Sequence, residues 1–256
     1  MKIVQTVSEM QEICLGLKKE SKSIGFVPTM GFLHAGHEAL LKTSRKNNKI
    51  SILSIFVNPT QFNQKEDFER YPVDLENDLS LAEKNQVDYV FLPDEKELYL
   101  DNYCYQVQEN SHSLVLEGEH RQGHFTGVLT IVLKLLNIIQ PDIVYLGKKD
   151  YQQYSLVKNM IAAFFLPIQV VACETIREPD GLAMSSRNVR LNEEERVLAP
   201  SLYQILSSSK TAQEAENKLK IYDKIKIDYI TDFDGRRYAA IWLGNTRLID
   251  NIELIK

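Results

Sequence analysis

Short apolar segments rich in β-branched residues alternate along this chain with longer segments of helical period. Five apolar runs have the length and composition of buried strands, at residues 24–27, 49–57, 87–92, 142–146 and 168–175. Segments with apolar residues at helical spacing lie before and between them, at about 8–20, 35–47, 74–85, 126–139 and 151–164. Because strands separated by helices must be joined by crossovers, the alternation predicts an α/β fold with a mostly parallel, Rossmann-like sheet.

Several boundaries are predicted from local residue types. Ser8 with Gln11 matches a capping box and predicts the start of the first helix. Pro28 predicts the end of the first strand. Residues 103–107 predict a further short strand, and residues 117–125 a polar loop.

The polar loops after four of the predicted strands share one feature of position. They follow Val27, Val57, Leu146 and Thr175, each at the carboxyl end of its strand. In parallel sheets these ends lie at one edge, and ligands bind outside them. The sequence therefore predicts that these loops build a single site.

His34 and His37 fall where the first strand passes into the helix at 35–47. A helix N-terminus offers unpaired backbone N–H groups and a positive dipole end, which together bind anions. Two imidazoles one turn apart, with Gly36 between them, suit a nucleoside triphosphate and charge at its α-phosphate. The alternative is a capping or core pair; a metal site is disfavoured because no third ligand is evident.

Other loops add polar groups of the same kind. Lys149 and Arg187 carry fixed positive charge suited to phosphate oxygens, and Ser185 and Ser186 offer donors. No motif of an activated protein nucleophile occurs. The predicted site would therefore position reactants and stabilise phosphoryl charge, while a substrate supplies the attacking oxygen.

Gln61 and Gln153 can each donate and accept hydrogen bonds, which suits a small polar substrate better than a phosphate. Taken singly, each of these polar residues is more often a solvated surface group. Their common position at one sheet edge favours the functional interpretation.

The pattern changes after Arg177. Asn192 with Glu195 predicts a capped helix to about Ser207, and residues 211–219 predict a second helix. Residues 225–231 and 238–243 predict two strands joined by an Asp234-Gly235 turn. The sequence thus predicts a large domain at 1–176 and a small C-terminal α+β lid domain at 177–256.

Composition excludes several classes of protein. The formal net charge of −5 disfavours bulk binding to nucleic acid or to anionic membranes. Cys14, Cys104 and Cys173 are widely spaced, which predicts reduced thiols in a cytoplasmic protein. We also expect neither a signal peptide nor a membrane-spanning helix.

The motifs in order resemble one known family, the pantoate–β-alanine ligases (pantothenate synthetases) of the His-x-Gly-His nucleotidylyltransferase superfamily. The resemblance covers nearly the whole chain and is carried by the following segments: Pro28-Thr29-Met30-Gly31 with His34 and His37, residues 56–62, residues 69–72, Arg121 with 123–125, Gly147 with 149–153, and Arg177 with 181–188. The first motif alone marks only the superfamily, whereas the complete set is specific.

The resemblance implies ATP-dependent condensation of (R)-pantoate with β-alanine through a pantoyl adenylate, with release of pyrophosphate and AMP. It implies that His37, His34, Lys149 and Arg187 are catalytic, with His37 donating a proton. The implied ATP-binding residues are Met30, Gly31, Phe32, Leu33, His34, Ala35, Gly36, His37, Gly147, Lys148, Lys149, Asp150, Ile176, Met184, Ser185, Ser186 and Arg187. The implied pantoate-binding residues are Gln61, Gln153, Met30, Arg121 and His124.

For β-alanine the resemblance implies Gln61 and Asn58, and for Mg²⁺ it implies Asp78, beside Asn77 where the family commonly has a second acid. It also implies a homodimer, and the composition already predicts that this protein binds neither nucleic acid nor a membrane. Two alternatives remain open. One is another nucleotidylyltransferase of this superfamily, whose product keeps the nucleotide; the other is a non-catalytic nucleotide-binding module.

Overall fold

The computed structural model describes residues 1–254. Within them the chain divides into two compact units. The first contains residues 1–148 and 152–173, and the second contains residues 149–151 and the described residues from 174 onward.

The first unit is built on a six-stranded parallel sheet in the order β1-β4-β3-β2-β5-β6. The strands are β1 (Lys2–Val4), β2 (Ile24–Thr29), β3 (Ile50–Ile55), β4 (Tyr89–Phe91), β5 (Ile143–Gly147) and β6 (Gln169–Cys173). Apolar residues of the central strands, such as Phe26, Ile52 and Val144, are fully buried. The α/β class predicted from the sequence is confirmed.

Helices alternate with these strands along the chain. They are α1 (Val7–Lys19), α2 (Ala35–Asn47), α3 (Lys65–Glu69), α4 (Leu75–Lys84), α5 (Glu95–Leu98), α6 (Glu117–His120), α7 (His124–Ile139) and α8 (Tyr151–Ala163). The longest, α7, buries a broad apolar face in the core, which explains its continuous stripe of aliphatic residues. Within residues 1–254, no helix combines the length and apolarity needed to cross a bilayer.

Several local predictions were wrong. Residues 2–4 form an edge strand that the sequence analysis missed, and the first helix is capped by Thr6, whose hydroxyl accepts the N–H of Glu9. Residues 103–107 are not a strand; the backbone there turns through positive φ angles at Asn102 and Tyr103. The predicted polar loop at 117–125 contains α6 and the start of α7.

Pro28 does not end the first strand, because β2 continues to Thr29. Pro28 pairs with Ser54 of β3, whereas β5 pairs with β2 only at Gly25 and Phe26. Beyond Phe26 one edge of β2 therefore lacks a strand neighbour within the described part of the chain, and a residue without an N–H group is tolerated there.

The second unit contains a three-stranded antiparallel sheet with helices. Its elements are α9 (Glu193–Leu198), α10 (Ser201–Ser208), α11 (Ala212–Leu219), β7 (Ile225–Phe233), β8 (Arg236–Leu243) and β9 (Thr246–Glu253), in the sheet order β7-β8-β9. The capping box of Asn192 and Glu195 is present, but Pro200 separates α9 from α10 where one helix was predicted. Asp234 and Gly235 both have positive φ and make the predicted hairpin turn. The strand β9 was not predicted.

Candidate active site

The carboxyl ends of β2, β3 and β5 lie at one edge of the six-stranded sheet, because these neighbouring strands are parallel. They end at Thr29, Ile55 and Gly147. The segments that follow β2 and β3, residues 30–37 and 56–62, contain most of the predicted site residues of the first unit.

His34 and His37 form a capping box at the start of α2. The N–H of Gly36 donates to Nδ1 of His34 at 3.1 Å, and the N–H of His34 donates to Nδ1 of His37 at 3.2 Å. The ring centroids lie 4.1 Å apart. The capping alternative from the sequence analysis is therefore realised, and it brings both imidazoles to a helix N-terminus.

These bonds determine which nitrogen of each ring carries the proton. A nitrogen that accepts a backbone N–H cannot itself be protonated, so Nδ1 is the lone-pair nitrogen in both His34 and His37. In the neutral imidazole the proton then resides on Nε2. Each ring therefore has its N–H donor on the side opposite the backbone that holds it.

The backbone between β2 and α2 turns sharply. Gly31 has φ of +81° and Phe32 has φ of +50°, so two successive residues are left-handed. The hydroxyl of Thr29 donates to the carbonyl of Ser54 and accepts the N–H of Gly31. The turn brings His34 to the cap position of α2.

Asp78, on α4, accepts backbone N–H groups with both carboxylate oxygens. Oδ2 accepts from Phe32 at 2.8 Å and Oδ1 from Leu33 at 2.6 Å, and the residue is 1% exposed. Burial raises the pKa of this carboxyl group, and the two backbone hydrogen bonds oppose that shift. Within residues 1–254, no three acidic, imidazole or thiol side chains group as a metal site. Asp78 therefore has too few such neighbours to hold a metal ion with protein ligands alone.

A chain of side-chain hydrogen bonds orients the amide of Gln61. The hydroxyls of Tyr99 and Thr60 donate to Oδ1 of Asn58 at 2.7 and 3.1 Å. Asn58 Nδ2 donates to Oε1 of Gln61 at 3.1 Å, and Gln61 Nε2 lies 3.2 Å from the sulfur of Met30. The amide nitrogen of Gln61 is thus directed toward the segment that follows β2.

The start of α7 packs tightly against the turn that carries Gln61. Asn58 Nδ2 also contacts the carbonyl of Gly127, and a Cβ atom on Gly127 would lie 2.5 Å from the carbonyl oxygen of Thr60. Only glycine permits this approach. The turn that carries Asn58 and Gln61 is therefore held by α7 as well as by β3.

His124, the first residue of α7, is held between Gln61 and Arg121. Its Nδ1 donates to the carbonyl of Gln61 at 2.8 Å, since a carbonyl can only accept. Its Nε2 lies 3.2 Å from Arg121 Nη1 and accepts from that guanidinium. Glu117 Oε2 lies 3.9 Å from the same Arg121 nitrogen. His124 therefore has the opposite tautomer to His34 and His37.

The remaining predicted residues of the first unit are Gly147, Lys148 and Gln153. Gly147 ends β5, Lys148 starts the 3₁₀ turn that follows, and Gln153 lies in the first turn of α8. The residue before Gln153, Gln152, is buried. Its side-chain oxygen accepts the N–H of Glu117, and its side-chain nitrogen donates to the carbonyls of His112 and Val115. Gln152 thus has a structural role, while Gln153 is partly exposed.

In the second unit, Lys149 and Asp150 complete the 3₁₀ turn. The Lys149 ammonium lies 3.4 Å from Oδ1 of Asp150, and the Lys149 carbonyl accepts from Nδ2 of Asn251 at 2.8 Å. Asn251 also accepts from the guanidinium of Arg236. The backbone at Lys149 is therefore tied to the three-stranded sheet.

The predicted segment 184–187 follows a short antiparallel ladder. Arg177 pairs with Ala183, and the N–H of Met184 donates to the carbonyl of Ile176 at 2.9 Å. Ser185 caps the next 3₁₀ turn by accepting the N–H of Arg187. Ile176, Met184, Ser185, Ser186 and Arg187 are thus close together within the second unit.

Sequence reasoning missed Tyr99, Thr60 and Glu117 as partners of the predicted residues, and it missed the structural role of Asp78. Tyr99 is 41 residues from Asn58. No spacing rule connects residues this far apart in sequence. The only signal available was an aromatic residue with a polar end in an otherwise apolar position.

Comparisons with known proteins find relatives that cover nearly the whole chain. Residues 2–253 match the family model described as pantoate–beta-alanine ligase. A pantothenate synthetase of Bdellovibrio bacteriovorus is 48% identical over 252 residues, which cover 98% of this chain and 100% of that protein. A pantothenate synthetase of Legionella pneumophila is 48% identical over 91% of this chain and 92% of its own length.

Solved structures give the same result. The pantothenate synthetase of Thermus thermophilus superposes with a TM-score of 0.93 at 37% identity, with all of both chains covered. The pantoate–beta-alanine ligase of Francisella tularensis, complexed with beta-gamma ATP and beta-alanine, gives 0.93 at 40% identity, covering 99% of this chain and 97% of the other. The chain belongs to the pantoate–β-alanine ligase family.

Proposed function

We propose that this ligase condenses pantoate with β-alanine in two steps. A carboxylate oxygen of pantoate attacks the α-phosphorus of ATP, the bond to the β-phosphate breaks, and pyrophosphate leaves. The amine of β-alanine then attacks the acyl carbon, the bond to AMP breaks, and the amine loses a proton as pantothenate forms. The observation that carries this proposal is the histidine capping box, which aligns two ring donors at the start of α2.

In the first step His37 and His34 act on the phosphates of ATP. Their Nδ1 atoms accept backbone N–H groups, so each ring offers Nε2–H to an anion. Donors that are oriented before the reaction stabilise developing charge at little reorganisation cost. The N-terminus of α2 adds its dipole. His37 serves as the proton-donating residue that stabilises charge.

Lys149 and Arg187 supply fixed charge to the same nucleotide. Both are partly exposed, and the Lys149 ammonium makes a 3.4 Å contact with the carboxylate of Asp150 beside it in sequence. The other ATP-binding residues of the proposal are Met30, Gly31, Phe32, Leu33, Ala35, Gly36, Gly147, Lys148, Asp150, Ile176, Met184, Ser185 and Ser186.

Pantoate is bound by Gln61, together with Met30, Arg121, His124 and Gln153. The Gln61 carbonyl oxygen already accepts from Asn58, so its amide nitrogen is the group left to face an acid. Among the described residues, that nitrogen has only the sulfur of Met30 as a partner, and thioether sulfur is a weak acceptor. A carboxylate or hydroxyl oxygen of pantoate would be a better partner.

β-Alanine is bound near Gln61 and Asn58. Mg²⁺ would accompany ATP, and at nucleotide sites this ion is usually bound by substrate phosphates, water and one or two carboxylates. Asp78 is the carboxylate that the resemblance implies for this ion, and each of its two oxygens accepts one backbone N–H group. No step of the reaction is assigned to Asp78 as a metal ligand.

We further propose that residues 1–176 form the ATP- and pantoate-binding domain and that residues 177–256 form a lid domain. The enzyme is proposed to be a cytoplasmic homodimer that binds neither nucleic acid nor a membrane. The three cysteines, Cys14, Cys104 and Cys173, are free thiols, which suits a reducing compartment. Light scattering of the purified enzyme tests the dimer directly.

An isotope experiment tests the reaction. Pantoate labelled with ¹⁸O at its carboxylate is incubated with ATP, Mg²⁺ and β-alanine, and each substrate is omitted in turn. Attack on the α-phosphorus leaves one labelled oxygen in AMP, which mass spectrometry detects. Label in pyrophosphate or in inorganic phosphate would contradict the adenylate step. A stable nucleotide conjugate formed without β-alanine would favour the nucleotidylyltransferase alternative.

A further inference from the structure

The turn at residues 31–33 places a bulky residue in an unfavourable backbone conformation. Phe32 has φ of +50°, a region that residues other than glycine rarely adopt because of contacts between Cβ and the backbone. Such strain persists only where surrounding structure over-determines it. The turn therefore needs a specific group that holds it.

The carboxylate of Asp78 is that group. Its two oxygens accept the successive N–H groups of Phe32 and Leu33 at 2.8 and 2.6 Å, across 46 and 45 residues of sequence. Successive N–H groups that converge in this way form a concave anion site. Here a buried side chain of the protein fills that site.

The turn also packs directly against the carboxylate. A Cβ atom on Gly31 would lie 2.8 Å from Oδ2 of Asp78 and 3.0 Å from Cγ2 of Ile55. The glycine and the carboxylate therefore fit together. The N-terminal end of α4 is in this way joined to the segment that carries His34.

We propose that Asp78 is a positioning residue for the two histidines, a role that rests on the proposed function of His34 and His37. Its carboxylate holds the left-handed turn, the turn sets His34 as the N-cap of α2, and the cap orients both imidazoles. Asp78 acts through the backbone, without touching ATP or Mg²⁺.

Only a carboxylate satisfies both N–H groups. An asparagine at this position would have the same size but a single acceptor oxygen, and its NH₂ group would face the second backbone N–H. Asp78→Asn therefore removes one of the two backbone hydrogen bonds and places the asparagine NH₂ group against the backbone N–H that lost its acceptor. Asp74→Asn, four residues earlier, is the matched control, because it removes the same charge while asparagine remains a good helix cap.

The first test compares these variants with His37→Ala. We expect Asp78→Asn to lower pyrophosphate release at least tenfold and to speed hydrogen exchange at the amides of Phe32 and Leu33, with Asp74→Asn near wild type. We also expect Asp78→Asn to need the same Mg²⁺ concentration as the wild type for half of its maximal rate. Full activity of Asp78→Asn, or recovery of its activity by added Mg²⁺, would overturn the proposal. Full activity of His37→Ala would instead refute the proposed function.

The second test needs no variant, so it applies even if Asp78→Asn does not fold. Paramagnetic Mn²⁺ is titrated into the ¹⁵N-labelled wild-type enzyme without nucleotide. We expect the amide signals of Phe32 and Leu33 to keep the line widths of amides in β4 and α5. Saturable broadening centred on Phe32, Leu33 and Asp78 would show a metal at Asp78 and would overturn the proposal.

Discussion

The polar groups around the turns after β2 and β3 contrast with the buried arginines of the second unit. In the first region, His34, His37 and Gln61 each use their accepting atom to bind the protein and keep a donor on the opposite side. In the second unit, Arg237 is fully buried and all five of its N–H groups donate to protein oxygens. The side chains of His34, His37 and Gln61 thus direct a donor away from the group that each one accepts. Arg237 instead uses every donor to hold the fold together.

Arg177 follows the same pattern as Arg237. Its guanidinium donates to both carboxylate oxygens of Asp250 and to the carbonyl of Gly181, and it stacks 3.6 Å from the ring of Tyr203. A positive charge in a sequence motif is therefore not by itself a sign of ligand binding. The donors of Arg177, like those of Arg237, hold the second unit together.

The largest expected effect is on stability and comes from the buried Arg237 of the second unit. Replacing Arg237 by Ala leaves the carbonyls of Leu206, Ser209 and Lys210 without this donor, so we expect the free energy of unfolding to fall by about 3–5 kcal/mol. Urea unfolding followed by the fluorescence of Trp242, the single tryptophan, measures this loss.

Arg196→Ala is the control for Arg237, because Arg196 makes partly exposed ion pairs with Glu178 and Asp180. Its loss is expected to cost at most about 1 kcal/mol. If both variants lost the same free energy of unfolding, burial would not explain the contribution of Arg237.

The next largest effect is on the reaction rate and concerns His37. His37→Ala removes one oriented donor, which typically costs about 2.7–4 kcal/mol of barrier, so pyrophosphate release should slow about 10²–10³-fold. Thermal stability should change little by comparison. The exposed His120→Ala is the matched control and should keep the wild-type rate. A His37→Ala enzyme as fast as the control would remove the histidine from the reaction.

A smaller effect is expected from Tyr99→Phe, which deletes one donor to Asn58 and loosens the amide of Gln61. A single hydrogen bond contributes about 0.5–1.5 kcal/mol, so KM for pantoate should rise about two- to tenfold while KM for ATP stays constant. Tyr105→Phe, at an exposed position, is the control. Equal changes in both KM values would contradict a local effect on Gln61.

The pKa of Tyr99 allows a prediction of how KM for pantoate depends on pH. Burial raises the pKa of Tyr99 to about 12, so its hydroxyl stays protonated and remains a donor well above neutral pH. The ratio of KM values between Tyr99→Phe and wild type should therefore be constant from pH 7 to about pH 10. A ratio that falls toward one by pH 9 would show ionisation of this hydroxyl.

The smallest effect belongs to an ion pair at the surface of the first unit. The Lys134 ammonium and the N–H of Tyr105 lower the pKa of Asp101 to about 2, below the value of about 3.9 in an unfolded chain. The pair stabilises the fold above that unfolded value, and this contribution is lost as pH falls from about 4 through the folded pKa of about 2. The melting temperatures of wild type and Asp101→Asn should therefore approach each other from about pH 4 downward and converge below about pH 2. A constant difference across this range would contradict the lowered pKa.

Local patterns predicted the central elements well where one signal dominated. The apolar period of residues 35–47 and the capping box of Asn192 with Glu195 predicted helices that begin where the structure has them. The prediction failed where context decided. Pro28 is tolerated because β5 leaves one edge of β2 unpaired, and β1 is three residues long, too short to show a period.

The candidate residues could be found from the sequence, but their orientation could not. The sequence places His34 and His37 at a helix start, yet only the structure shows that backbone N–H groups occupy both Nδ1 atoms. The role of Asp78 depends on contacts across 45 residues and on a strained turn. Such contacts follow from tertiary packing, which no local spacing encodes.

The most direct test of this account is the protonation of the His37 ring, observed by ¹⁵N NMR of imidazole-labelled enzyme at neutral pH. We predict an unprotonated Nδ1 that accepts a hydrogen bond and a proton bound to Nε2, both unchanged in Asp74→Asn. A proton on Nδ1 would mean that the backbone of His34 does not hold this ring, and it would contradict the orientation on which the proposed chemistry depends.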